Sequence, residues 1–313
     1  MFARIACRLL CLLVIGLDIA SGEAPSPGQV PGSARFSDPL ASGGRGPSMQ
    51  ALPAADLWTG TLAALWRNDV RPPAKVRVAH PLAVGVTEIT VGDFRRFVSA
   101  TGHVVEPGCW YHGPEEIWRF DPAADWRRPG FPQDDTHPVT CISWYDARAY
   151  LRWLSSETGA VYRFPTESEF EWFAGDGVET SAARLCGIAN GADDNSGFSY
   201  RNHACTDGQR YTAPVASYAP NAHGLFDTRG NVWEWTEDCW LAGTGSWWYD
   251  FVSAPADGGA WRGGQCDAHP TRGGSYISSV ANLEITTRRP APAGYRYNTV
   301  GLRVVREMDA GPR

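Results

Sequence analysis

Lysine is nearly missing from this chain: Lys75 stands alone among 28 basic residues, and 34 acidic ones leave a formal net charge of −6. A surface that tracks phosphate needs a basic excess, so nucleic acid is not an expected partner. There is no Cys-x-x-Cys, no Cys-x-x-Cys-His and no Cys/His cluster at zinc spacing. That removes the usual grounds for a redox dithiol, a c-type haem or a structural zinc. After the N-terminal segment no apolar run approaches the ~20 residues that cross a bilayer, so no membrane span is expected there. What is present is globular in composition: 313 residues, 43% hydrophobic, 20% charged and 12% aromatic, enough to bury a sizeable core.

Arg4 and Arg8 precede a mostly apolar run over residues 9–19, and Ala20-Ser21-Gly22 supplies small residues at a cleavage point. This is the layout of a secretory signal, expected over residues 1–22. A membrane anchor would need about twice that apolar length, and Asp18 interrupts the run. Export to an oxidising space, periplasmic or extracellular, is the expectation. Cys7 and Cys11 would leave with the signal, and Cys109, Cys141, Cys186, Cys205, Cys239 and Cys266 would remain. Sequence leaves their connectivity open. The sequential scheme Cys109–Cys141, Cys186–Cys205 and Cys239–Cys266 closes three short loops without crossing, each worth about 3 kcal/mol through the unfolded chain.

Residues 23–77 are rich in Pro, Gly, Ser and Ala and read as a linker, with residues 54–66 as a short amphipathic helix packed on the domain C-terminal to it. Residues 78–309 read as that one domain. Three helices are announced by caps: Thr90 to Asp93 with Gly102 as the stop, Ser143 to Asp146 with Gly159 as the stop, and Thr166 to Glu169 just after Pro165. Short β-prone runs over residues 212–218, 232–236 and 300–305 are separated by turn residues. The class expected is α+β with much irregular backbone.

Five segments carry a resemblance: Val86-Thr87-Glu88-Ile89-Thr90; His137-Pro138-Val139-Thr140-Cys141-Ile142-Ser143-Trp144; Arg163-Phe164-Pro165-Thr166-Glu167-Ser168-Glu169-Phe170-Glu171-Trp172; Gly230-Asn231-Val232-Trp233-Glu234-Trp235; and Arg272-Gly273-Gly274-Ser275-Tyr276 with Gly301-Leu302-Arg303-Val304-Val305. In this order they resemble the sulfatase-modifying-factor domain, the family of the formylglycine-generating enzyme. The resemblance implies an elaborated C-type-lectin-like fold, usually with structural calcium. Carried onto this chain, one calcium set is Asp227 with the carbonyls of Thr228, Gly230 and Val232. The other is Asn190, Gly191, Asp207 and Gln209. Calcium takes about six to eight oxygens of these kinds; read without the family, the same residues make turns.

The chain departs from the family at the site of its chemistry. Formylglycine-generating enzymes bind copper(I) through two cysteines after the Gly-Gly-Ser-Tyr run, and those positions hold Ser278 and Leu283 here. A serine hydroxyl does not replace a soft thiolate on copper(I), so no copper is expected. A second branch carries a non-haem iron His-x3-His-x-Glu motif, which none of the seven histidines forms. Exported members without the copper cysteines, a pyoverdine-maturing oxidoreductase and nitrite-reductase accessory proteins, match best. That implies a protein or peptide-derived substrate, or a periplasmic redox enzyme as partner. The polar candidates under the glycine turn are Ser275, Ser278, Glu284 and Arg288. Glu284 serves as a general base if burial raises its pKa, and is otherwise a solvated carboxylate beside Arg288 or Arg289. Trp247 and Trp248, in a Gly-rich insertion, are candidates for an exposed binding surface. The rival reading is a non-catalytic binding module on the lectin-like scaffold.

Overall fold

The computed structural model describes residues 34–308, apart from 66, 68, 114, 176–180, 241–253 and 264–265. The expected signal over 1–22 and the Trp247–Trp248 pair lie outside the described residues. The three cap-announced helices form where the caps stand: α1 (Val91–Thr101), α2 (Trp144–Thr158) and α3 (Glu167–Ala174). In each, the hydroxyl of Thr90, Ser143 or Thr166 accepts the backbone N–H of Asp93, Asp146 or Glu169, whose carboxylate accepts the cap residue's own N–H. Such a box satisfies two otherwise unpaired donors and is worth about 1 kcal/mol. Gly102 and Gly159 end α1 and α2 in the left-handed region at φ 68° and 69°. Helices α1 and α2 pack through rings, Tyr150 meeting Phe94 and Phe97 at 6.1 and 5.7 Å between centroids.

The largest sheet has the order β1 (Arg35–Phe36), β2 (Met49–Leu52), β5 (Leu82–Gly85), β13 (Val305–Glu307) and β8 (Tyr162–Arg163), all antiparallel. Its central strand β5 is buried on both faces, and accordingly reads as a continuous apolar run. Met49 and Ala83 face the α1–α2 core, while Leu52, Leu82, Val84 and Val305 pack on Phe170 and Phe173 of α3. A second sheet orders β11 (Arg288–Pro292), β10 (Ala268–Arg272), β9 (Trp233–Trp235) and β12 (Val300–Gly301), the last pair parallel. Two hairpins complete the set: β3 (Ala55–Thr59) with β4 (Ala74–Val78), and β6 (Cys109–His112) with β7 (Trp118–Asp121).

This mixed α+β architecture corrects four expectations. From residue 34 onward the expected linker is folded. Its strand β2 is too short to stand out in a Pro/Gly-rich background, yet it buries Met49 and Leu52 against β5. Where a helix was expected over residues 54–66, the described residues 54–65 hold strand β3 and a 3-10 turn (Leu62–Leu65), because pairing with β4 outweighs the weak helical pattern. Residues 212–218 form no strand: Pro214 lacks an N–H, and Ala216 sits at φ 61° with its N–H donated to Asp227. Residues 300–305 divide between β12 and β13 in different sheets.

The three disulfides join Cys109–Cys141, Cys186–Cys205 and Cys239–Cys266, the sequential scheme. They belong to an oxidising, non-cytoplasmic compartment. No helix among the described residues is long and apolar enough to cross a membrane.

Candidate functional site

A cavity of about 550 Å³ opens on the second sheet. Its floor is Trp233 of β9, Thr271 of β10, Arg289 and Pro290 of β11 and Val300 of β12. The β6–β7 hairpin makes one wall with Trp110, His112 and Trp118. Cys109–Cys141 and the bonds from Trp110 N–H to the Arg296 carbonyl (2.8 Å) and from Asn298 N–H to the Trp110 carbonyl (2.9 Å) pin that hairpin. Gly108, at φ 107°, lies so close to the Phe120 ring that a Cβ would collide with it. Tyr295 and Tyr297 continue the wall: Trp110 stacks on Tyr295 at 6.0 Å, and Trp118 meets Tyr297 edge-on at 5.3 Å.

The opposite wall is the turn after the two glycines. Gly273 and Gly274 adopt φ 93° and 84°, and a Cβ on Gly274 would strike Leu283. Beyond them the Ser275 N–H donates to Ser278 Oγ (2.9 Å) and the Ser278 N–H to the Ser275 carbonyl (2.8 Å). This tight exchange sets Ser278, with Ser279 and Asn282, on the cavity wall. Ser275 is fully buried beneath it, its Oγ without a partner.

Of the four polar candidates only Ser278 lines the cavity. Glu284 is half exposed and outside the cavity lining, and its ion pair is with Arg67 at 2.6 Å instead of Arg288 or Arg289. Arg288 is buried on the far side of β11, where Nε and Nη2 reach Glu167 at 2.7 and 2.9 Å. Strand alternation then turns its neighbour Arg289 to the cavity. Arg289 Nη2 donates to Asn282 Oδ1 at 2.8 Å and lies 3.7 Å from Asp69, itself held by Arg67 at 2.9 Å. Leu283 is fully buried against Leu185 and Ala189 and does not line the cavity.

Burial shifts three of the cavity's titratable groups toward their uncharged forms. Burial lowers the His112 imidazole below its usual value, leaving it uncharged at neutral pH. Burial also pushes the Tyr200 and Tyr297 phenols up to about 12. Sequence reasoning passed over Trp110, His112, Trp118 and Tyr295, and named Arg289 only as a neighbour of Glu284. The available signal was the aromatic pair of β-prone runs Cys109-Trp110-Tyr111-His112 and Trp118-Arg119-Phe120 around a Gly-Pro turn, a hairpin pattern.

The two candidate calcium sets lie side by side. The Asn231 N–H donates to the Asn190 carbonyl at 2.9 Å, and Gly230, at φ 77°, abuts the Asn190 backbone so closely that only glycine fits. In the Asn190 set, Asp207 accepts the N–H groups of Gln209 (2.8 Å) and Gly191 (3.0 Å), and burial pushes its carboxyl up to about 6. In the other, Asp227 sits at φ 54°, buried, its carboxyl raised by desolvation. Thr228 is buried beside it, and the Val232 N–H is committed to Glu88. Each set contains one buried acceptor with no hydrogen-bond partner, Asn190 Oδ1 and Asp227 Oδ1. A buried oxygen left unpaired costs about 1–3 kcal/mol, and an oxygen-seeking cation would satisfy it, so the residues fit calcium. Among the described residues no group of three or more His, Cys, Asp or Glu is placed to hold a metal, which leaves carbonyl-rich sets of this kind.

Residues 40–308 match the sulfatase-modifying factor enzyme 1-like domain. The formylglycine-generating enzyme of Streptomyces coelicolor is 31% identical over 279 residues, 77% of this chain and 83% of that protein. The inactive C-alpha-formylglycine-generating enzyme 2 of Mus musculus is 30% identical over 220 residues, 61% of this chain and 68% of that protein. Among solved structures, PvdO from Pseudomonas aeruginosa aligns with a TM-score of 0.69 at 28% identity, covering 91% of this chain and 100% of that one.

Proposed function

The chain belongs to the sulfatase-modifying-factor family, and on that premise we propose that it is an exported maturation or accessory protein of the periplasm or extracellular space. Its substrate is a protein or a peptide-derived product, its partner a periplasmic redox enzyme, and any catalysis is oxidoreductase-like. It is not a copper-dependent formylglycine-generating enzyme. The observation that carries this is the pair of positions at which the family places its copper thiolates: Ser278 is a hydroxyl on the cavity wall, and Leu283 is packed in the core. All six cysteines among the described residues are spent in disulfides, so none is left to substitute. Calcium acts as a structural ion on Asn190, Gly191, Asp207 and Gln209 and on Asp227, Thr228, Gly230 and Val232, a role supported by the two unpartnered oxygens.

A Cys-x-Pro-x-Arg peptide incubated with the purified protein, copper and oxygen should remain unchanged by mass spectrometry. Robust formylglycine would overturn the reading of Ser278 and Leu283. For the maturation role, candidate peptides incubated under oxygen should show a mass change that Ser278→Ala removes.

A non-catalytic binding module is the second reading, favoured by one feature. Among the described residues the cavity holds no carboxylate, and His112 is its one imidazole. Retention of a peptide without any mass change would select it.

A further inference from the structure

We propose that the cavity takes a planar aromatic group bearing a carboxylate or similar compact anion, the ring on the hairpin wall and the anion at Arg289. This rests on the reading of the cavity as the substrate site, and names the chemical class that would occupy it.

Size is the first constraint. At about 550 Å³ the cavity lies in the range of small-molecule sites and holds a fused ring system with its attachment. Geometry is the second. Trp110 and Tyr295 are stacked at 6.0 Å with planes 12° apart, too close to admit a ring between them. A ligand ring must therefore lie on free faces: Tyr200 and Tyr295 each have one face covered, by Phe198 and Trp110, and with Trp118 they remain 39%, 47% and 45% exposed. Offset or edge contacts with such faces reward a flat, polarisable partner.

Charge decides between the occupants that aromatic walls admit. A cation would gain from the ring faces, but would meet Arg289 and no lining carboxylate. A sugar would meet the same walls and the lining hydroxyls of Thr271, Ser278, Ser279 and Thr299, but it brings no anion for Arg289. An anion meets the opposite situation. Arg289 has one hydrogen bond to Asn282 and only a 3.7 Å approach to Asp69, leaving guanidinium N–H groups to give. The Tyr200 and Tyr297 phenols keep their protons and can donate as well. An aromatic ring with a carboxylate matches both the walls and the donors.

The test uses 2-naphthoate, 2-naphthamide and 2-naphthyltrimethylammonium as probes of one ring with three charges, titrated calorimetrically into the full exported chain. Naphthoate should bind at least about tenfold more tightly than the other two, the discrimination one charge-assisted contact supplies. Arg289→Gln should erase that preference with an unchanged melting temperature, and Arg289→Lys should keep most of it. Equal affinity for acid and amide, tighter binding of the ammonium probe, a preference that survives Arg289→Gln, or no binding of naphthoate at millimolar concentration would each overturn the proposal. A protein that alters a peptide yet ignores the probe's charge sinks this inference alone. Selective naphthoate binding by a protein that neither alters nor retains any peptide sinks only the maturation reading.

Discussion

Two ionic clusters lie in the interior and are neutralised in different ways. Around Arg272, three guanidinium groups (Arg71, Arg272, Arg288) meet three carboxyls (Glu167, Glu171, Asp238). Burial works to raise the Glu167 carboxyl, but Arg288, Arg71 and Arg272 hold it well below the usual range. Around Arg303, one guanidinium meets Glu88, Asp227 and Glu234. Arg303 Nε binds both oxygens of Glu234 at 2.9 and 3.0 Å, and its two terminal nitrogens are spent on the Gly85 and Phe226 carbonyls and on Glu234. Glu88, fully buried, is raised well above the carboxylate range by desolvation and by the neighbouring Asp227 and Glu234. The first cluster closes its charge within the chain. The second has more carboxyl groups than cations, and its outermost member is Asp227, the residue with an unpartnered oxygen in a candidate calcium set.

The largest effect expected from this contrast is at Arg303. Arg303→Met removes the one cation among three buried carboxyls and should cost about 3–5 kcal/mol by chemical denaturation, as for other broken buried pairs. Adding Glu234→Gln should restore a good part. Arg272→Met should cost less, because Glu167 keeps Arg71 and Arg288 and Glu171 alone loses its ion pair. Equal costs would break the comparison.

Calcium comes next. If the ion completes the Arg303 side of the molecule, chelation should lower the melting temperature. Calcium at about 100 times its dissociation constant is worth about 2.7 kcal/mol to the folded state, or about 5–10 °C in a domain of this size. Asp227→Asn should shrink that difference. Identical melting with calcium and with chelator would remove the ion from the account and leave protons to neutralise the cluster.

The range of each interaction decided how much of this was legible in the sequence. The three capping boxes span four residues each and stood in plain view, as did the Ser278 and Leu283 departures, which sit at fixed offsets from a glycine turn. Strand β2 was not legible, because its four residues gain their stability from β5, over thirty positions away. Which of Arg288 and Arg289 faces the cavity depends on the pairing of β11 with β10, and a run of two arginines does not declare it. The aromatic wall was hidden for a similar reason. Trp110, Trp118, Tyr295 and Tyr297 are scattered along the chain and converge only through the hairpin and the Cys109–Cys141 bridge.

The smallest effect sharpens the comparison from inside the first cluster. Asp238 is its exception: the bonds that hold its carboxylate come from the backbone N–H groups of Glu167 and Trp261, both at 2.8 Å. Burial, and then the Glu167 charge, push it up to about 7. The signs of the two carboxyls therefore oppose each other. Glu167, depressed, contributes stability that is present above its unfolded pKa and lost as the pH falls through its lower folded value. Asp238, raised, contributes stability that is complete below its unfolded value near 4 and lost as the pH rises toward 7, by at most about 1.4 kcal/mol per pH unit for a single proton. Asp238→Asn removes the second slope and leaves the first. Between pH 4 and 7 the stability of the unsubstituted protein should thus decline relative to that of Asp238→Asn, and below pH 4 the two curves should fall together. Parallel curves across the whole range would mean that Arg71 and the two backbone donors offset the burial of Asp238 and leave its folded pKa at the unfolded value.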